Sequence, residues 1–274
     1  MDDARLVLPL HVASVDATRR RPYLAGWDSL LDALVAYVAG EPSAIESGPM
    51  TTLRRSIDQT ARRAIAERTE ALFRRSGALR EGHFVLKSGR HSDAYLEKFQ
   101  VLQDPEATSE LCSFWSGIHT RKDGTADVDL VAGPTTGGII LAFETGRQLG
   151  TRAIFAEEVA TDDGSRREFR RGFQITPGER VLLVDDILTT GGSLLAMIPA
   201  VEALGGEIRE CVVLVDRSGG LSTLTSPTTG RVYPLRALWA LDLPTYEAGA
   251  NCPRCVAGEP AVKPGSSGTG LAPA

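Results

Sequence analysis

Val181 to Ser193 read VLLVDDILTTGGS, and no other stretch of the chain restricts the fold as tightly. The four leading apolar residues make a short buried strand, and two aspartates follow where that strand leaves the core. A buried carboxylate without a partner costs several kcal/mol, so this pair must meet hydroxyls, cations or a ligand. Gly191 and Gly192 then let the backbone turn tightly, so that successive N–H groups point inward. Ser193 opens a helix whose positive N-terminus favours an anion, and Thr189, Thr190 and Ser193 add hydroxyl donors. Such a loop suits a phosphate monoester. It is not a Walker A loop, because no lysine follows the glycines. A plain tight connection, with the aspartates serving as caps or in salt bridges, is the alternative. A ribose 5-phosphate satisfies both halves together, with its vicinal hydroxyls on the acids and its phosphate in the loop.

The surrounding sequence repeats the same strand–loop–helix grammar. VDLVAG, PTTG and GIILAFETGRQLG form one unit, and the short strand RAIFAEE follows. After a polar segment come VLLVDD, ILTTGG and SLLAMIPAVEALGG, then the strand ECVVLVDR. Apolar strands alternating with helices of this length predict an α/β fold with a parallel sheet and crossover helices. Ligands of such sheets bind beyond the carboxyl ends of the strands, and here those ends carry GPTTGG, DDILTTGGS and DRS. Upstream, HFVL and AYLE flank a Lys-Ser-Gly-Arg-His turn, consistent with a hairpin, and PEATSELCSFWSGIHTRK is helical. The first 49 residues read as a separate extension, with a helical stretch from Trp27 to Gly40 and then the turn-rich EPSAIESGP. Met50 precedes one or two amphipathic helices and is a candidate start of the main domain, 50–274. From Tyr246 the tail is rich in Gly, Pro and Ser.

A net charge of −5 argues against a nucleic-acid-binding face. No apolar run approaches the roughly 18 residues of a membrane span. The N-terminus places acids before bases, the reverse of a signal peptide, so the chain reads as cytoplasmic. Cys112 and Cys211 lie in apolar surroundings and are expected in the core as thiols. Cys252 and Cys255 form a lone CPRC, a weak zinc or redox signal without a second pair or nearby histidines; a packed turn is the simpler expectation. His11, His83, His91 and His119 show no metal spacing, so no metal is assigned to protein side chains.

VLLVDDILTTGGS resembles the PRPP-binding signature of type I phosphoribosyltransferases. GHFVLKSGRHSDAYLEK, GPTTGGIILA, RRGF and CPRCVAGEPAVKPGS are similar to segments of the orotate phosphoribosyltransferases. Together these cover residues 80–266 and leave 1–49 outside. The resemblance implies a type I phosphoribosyltransferase fold: a central parallel β-sheet flanked by helices, with a small hood subdomain. It implies that Asp185 and Asp186, followed by Ile187 and Leu188, hold the ribose of PRPP. Thr189, Thr190, Gly191, Gly192 and Ser193 would take its 5-phosphate, and Thr135, Thr136 and Gly137 would lie along its pyrophosphate. Thr189 and Arg217 match positions that contact orotate, and Lys87 matches a lysine that reaches the reacting groups. The implied reaction joins orotate to PRPP, releasing pyrophosphate and giving orotidine 5′-monophosphate, with Mg²⁺ carried mainly by PRPP. A homodimer is implied as well.

Two departures stand out. Many family members carry a lysine where this chain has Gly137, and many have a catalytic loop rich in Arg, Lys and His. Here that loop is EEVATDDGSRREFRRGF, which contains neither lysine nor histidine. Arg166 and Arg167 are the candidates to touch pyrophosphate, with Arg170 and Arg171 beside them; the competing arrangement pairs these arginines with neighbouring acids on a solvated loop. Two other functions share the PRPP signature. One is a phosphoribosyltransferase for a purine base, against which LKSGRHS and VDR weigh. The other is a non-catalytic PRPP-sensing regulator, whose only candidate nucleic-acid surface, Arg54 to Arg75, alternates bases with acids as a solvated helix does.

Overall fold

The computed structural model describes residues 49–86, 88–161 and 164–264; the expected helix over 27–40 and Lys87 lie outside them. Two compact units divide the chain, 1–64 and 65–274. The described part of the first is the opening of helix α1 (Pro49–Arg75), one continuous helix where the sequence allowed two. The rest of the fold belongs to the second unit.

There the chain forms strands β1 (Leu79–Val85) and β2 (His91–Leu96), then the short helix α2 (Lys98–Leu102) and helix α3 (Pro105–Ile118). Strand β3 (Leu130–Pro134), helix α4 (Gly137–Leu149) and strands β4 (Arg152–Thr161) and β5 (Gly164–Glu168) follow. The sequence singled out above becomes β6 (Arg180–Leu188) and helix α5 (Gly192–Glu202). After it come β7 (Glu207–Asp216), β8 (Thr223–Thr225), β9 (Val232–Ala240), β10 (Thr245–Tyr246) and the single turn α6 (Pro253–Val256).

Seven strands make one sheet in the order β5-β4-β3-β6-β7-β9-β8. Its five inner strands are parallel, and β5 and β8 close the two edges antiparallel. The polar segment after β4 is therefore not a free loop: it turns back as β5, pairing Glu157 with Glu168 and Thr161 with Gly164. Alternation along the strands sends side chains into two cores. Leu182, Val184, Val212 and Leu214 pack with Leu72, Phe73, Leu111, Trp115 and Leu141 on one face. Val181, Leu183, Cys211 and Val213 pack with Leu194, Met197, Ile198 and Val201 on the other. Each fully buried Leu or Val contributes about 1.5–3 kcal/mol relative to exposure, which makes the central strands the most firmly held part of the chain. Both predicted core cysteines, Cys112 and Cys211, are buried free thiols.

The order of strands fixes where a ligand can enter. From β3 the chain steps outward to β4, then returns to place β6 on the other side of β3. The connections after β3 and β6 thus diverge, opening a crevice at their carboxyl ends. A second, three-stranded antiparallel sheet, β1-β2-β10, supplies the hood.

Candidate functional site

Leaving the sheet, β6 carries Asp185 and Asp186, both almost wholly buried, at 7% and 3% residue exposure. Local backbone amides partly satisfy them: Asp186 N–H donates to Asp185 Oδ1 at 2.9 Å, and Ile187 N–H donates to Asp186 Oδ1 at 2.7 Å. Burial, and next the charge of Asp186, push the Asp185 carboxyl well above the ordinary carboxylate range. On Asp186 the second oxygen, Oδ2, lies 2.7 Å from the Lys98 ammonium at the start of α2. The same oxygen explains Gly137. A Cβ on that residue would sit 2.0 Å from it, so a side chain at 137 and this aspartate cannot both keep their places.

Beyond the aspartates, Asp185 and Ile187 to Leu194 line a recess of about 230 Å³ that includes Leu188, Thr189, Thr190, Gly191, Gly192 and Ser193. Gly191 stands at the N-terminal boundary of α5 with φ 79°, ψ 4°, a left-handed conformation that a side chain resists. No side chain caps this helix, so its first amides stay available to a ligand. The recess opens into a cleft of about 1380 Å³, large enough for two substrates together. Phe84, Tyr95, Lys98, Thr135, Asp186 and Arg217 lie on its walls.

Arg217 follows β7 and is anchored by its backbone, whose N–H donates to Leu188 O at 2.7 Å. Its side-chain Nε is buried without a hydrogen-bond partner among the described residues. Burial draws the guanidinium below its ordinary value, while Asp242 and Tyr95 oppose that shift. A half-buried guanidinium whose Nε has no partner among the described residues, set in a cleft, is a ready partner for a carboxylate.

The arginines after β4 divide. Arg167, only 11% exposed, donates to Thr135 Oγ1 at 2.8 Å and so reaches the loop between β3 and α4. Thr135 and Thr136, joined by a cis peptide, form that loop, and Gly137 opens α4. Arg166 instead pairs with Glu168 at 2.7 Å, Arg171 with Glu157, and Arg170 approaches Glu168 at 4.0 Å. For these three the solvated ion-pair arrangement describes the structure. Of the residues singled out from sequence, the structure gathers Thr135, Gly137, Arg167, Asp185, Asp186, Thr189 to Ser193 and Arg217 around one crevice. Lys98 and Tyr95 were not singled out. Their only sequence signal was membership of GHFVLKSGRHSDAYLEK, since what brings them to the crevice is the docking of the hood.

Fold and crevice together define a phosphoribosyltransferase, and the phosphoribosyl transferase domain family matches residues 102–226. The orotate phosphoribosyltransferase of Desulforamulus reducens is 41% identical over 195 residues, covering 71% of this chain and 94% of that protein. That of Methylobacterium sp. (strain 4-46) is 43% identical over 197 residues, covering 72% and 94%. The crystal structure of orotate phosphoribosyltransferase from Aeropyrum pernix superposes with a TM-score of 0.50 at 26% identity, covering 62% of this chain and 92% of that one. With such identity over most of its length, the chain belongs to the orotate phosphoribosyltransferase family.

Proposed function

We propose that this protein transfers the ribose 5-phosphate of PRPP to orotate, giving orotidine 5′-monophosphate and pyrophosphate. One observation carries the reading: buried acids, a recess at a helix N-terminus and an arginine with an unpaired buried Nε share a single crevice. In this assignment Asp185 and Asp186 accept hydrogen bonds from the ribose hydroxyls, which relieves their burial without a second cation. Thr189, Thr190, Gly191, Gly192 and Ser193 surround the 5-phosphate with amide and hydroxyl donors. Arg217 takes the orotate carboxylate, with Thr189 and Lys87 completing the contacts to the base. Thr135, Thr136 and Gly137 border the pyrophosphate. Arg167, already on Thr135, is the catalytic arginine of the pair named from sequence, and Arg166 reaches pyrophosphate only by giving up Glu168.

Glycosidic bond cleavage builds positive charge on the ribose and negative charge on the departing pyrophosphate. Fixed amides, Arg167 and Lys98 stabilise the second without any proton transfer by the protein. The crevice fits Mg²⁺ carried on PRPP, because its charged and hydroxyl lining near Thr135, Asp185 and Asp186 consists of hard oxygen donors. When bound, that ion neutralises leaving-group charge. The same reading takes 50–274 as the catalytic domain, 1–49 as an extension, and the working form as a cytoplasmic homodimer. No helix among the described residues is long and apolar enough to cross a membrane.

The direct test incubates the protein with PRPP, Mg²⁺ and orotate and follows orotate absorbance. Steady loss of orotate with equimolar pyrophosphate is expected. Turnover of adenine or hypoxanthine instead, or PRPP binding without turnover of any base, would overturn the assignment.

A further inference from the structure

In the hood, four side chains that do not line the crevice converge on one point. They are His83 from β1, His91 from β2, and Cys252 and Cys255 from the turn around α6. One ligand atom from each lies within 4.8 Å of all the others. Cys252 is fully buried, His83 and His91 nearly so, and Cys255 is partly covered. The two histidines and the CPRC stand 161 to 172 residues apart in sequence, so no spacing rule brings them together.

We propose that these four residues form a structural zinc(II) site, with His83 Nε2, His91 Nδ1 and the two Sγ atoms as ligands. Zinc in such a set has Zn–S of about 2.3 Å and Zn–N of about 2.0–2.1 Å, and a tetrahedron with those bonds sets each sulfur about 3.5 Å from each nitrogen. The measured separations are 3.5 Å for Cys252 Sγ to His83 Nε2, 3.6 Å for Cys255 Sγ to His83 Nε2, and 3.3 Å for Cys255 Sγ to His91 Nδ1. The two ring nitrogens, 2.7 Å apart, are clearly closer than the tetrahedron requires, and Cys255 Sγ and His91 Nδ1 slightly so. The ring nitrogens share a hydrogen bond in the metal-free arrangement and separate by about 0.6 Å to admit the ion.

The outer partner of His83 also fits. Its Nδ1 lies 2.8 Å from the backbone carbonyl of Glu259, which accepts the ring proton and leaves Nε2 as the free lone pair. His91 shifts its proton from Nδ1 to Nε2, and the two thiols lose theirs, so binding releases two protons to solvent. Two thiolates and one divalent cation are neutral together, which makes the site tolerable among buried groups. A sulfur–nitrogen tetrahedron with no open position favours zinc over magnesium or manganese and assigns it a holding role. What it holds is clear from the topology. The ligands tie both strands of the β1–β2 hairpin to the C-terminal segment, beside the β10–β2 pairing and the Phe84–Val262 bridge.

The test uses the full chain, expressed in zinc-supplemented medium, purified without chelator and analysed for metal by mass spectrometry. About one zinc per chain is expected in the wild type, and less than about a tenth of that in Cys255→Ser. Stripping with chelator should lower the thermal midpoint, and refilling with cobalt(II) should give the visible bands of a tetrahedral thiolate site. The cobalt spectrum decides the question even if Cys255→Ser fails to fold. Wild-type protein without stoichiometric zinc and without cobalt bands would overturn the site. So would a Cys252–Cys255 disulfide under reducing purification, or full zinc in a folded Cys255→Ser variant.

Discussion

Asp185 sets function against stability within one side chain. Burial and the neighbouring Asp186 raise its pKa in the folded state above the ordinary 3.8. The empty fold therefore prefers the protonated form, and stability falls as pH rises from that ordinary value through the raised one. Asp185→Asn keeps an acceptor for the Asp186 amide and removes the charge. At about pH 8 it should unfold at a higher temperature than the wild type, by roughly 1 kcal/mol or more, while kcat/KM for PRPP falls about tenfold or further. Paired thermal melts and initial rates check both halves; a less stable variant would mean that the carboxylate is already compensated. Arg217 makes the complementary case for the base. Charge-assisted hydrogen bonds are worth about 1.5–3 kcal/mol, so Arg217→Ala should raise KM for orotate by roughly tenfold or more and leave KM for PRPP within about twofold. Equal losses for both substrates would place the arginine elsewhere in the mechanism.

Among the elements, His119 ties three together. It ends α3, with Nδ1 2.9 Å from Asp127 Oδ1 and Nε2 3.2 Å from Glu210 Oε2 on β7. Glu210 in turn accepts from Arg236 on β9 at 3.0 Å. Burial alone lowers the His119 pKa, but the close carboxylates of Glu210 and Asp127 outweigh it, and the net shift is upward. Its stabilising charge is complete below the unfolded value, about 6.5, and is lost as pH rises through the folded one. Wild-type stability should thus decline as pH rises above about 6.5 more steeply than that of His119→Gln, in denaturant titrations at each pH. Parallel slopes would show that the imidazolium carries no stability. None of this network was legible in sequence, since Asp127, Glu210 and Arg236 sit on separate segments. By contrast, β3, β6, β7 and their helices were readable almost to their ends, because strands buried on both faces leave continuous apolar runs. The antiparallel edge β5 was not. GSRRE has no apolar alternation, and its pairing with β4 supplies the order that its composition does not.

At the scale of the molecule, the curated relatives align with about seven-tenths of the chain and nearly all of their own length. If 50–274 is the catalytic domain, a chain started at Met50 should keep kcat/KM for both substrates within about twofold of the full protein. Sedimentation of the two forms would show at the same time whether the protein self-associates and whether that needs the first 49 residues. A large loss of activity would give the extension a catalytic or structural task.

The sequence by itself determined the α/β sheet, the acid pair, the phosphate-sized loop and so the family, because each is written within one short segment and needs only local chemistry. Tertiary structure alone decided the rest. It set Arg167, rather than Arg166, Arg170 or Arg171, against Thr135, brought Lys98 to Asp186, and left Arg217 Nε without a hydrogen-bond partner among the described residues. It also set two histidines of the hood against a distant CPRC. These contacts depend on how β5, α2 and the hood pack beside the central strands, a free energy spread over many residues and encoded in no single motif.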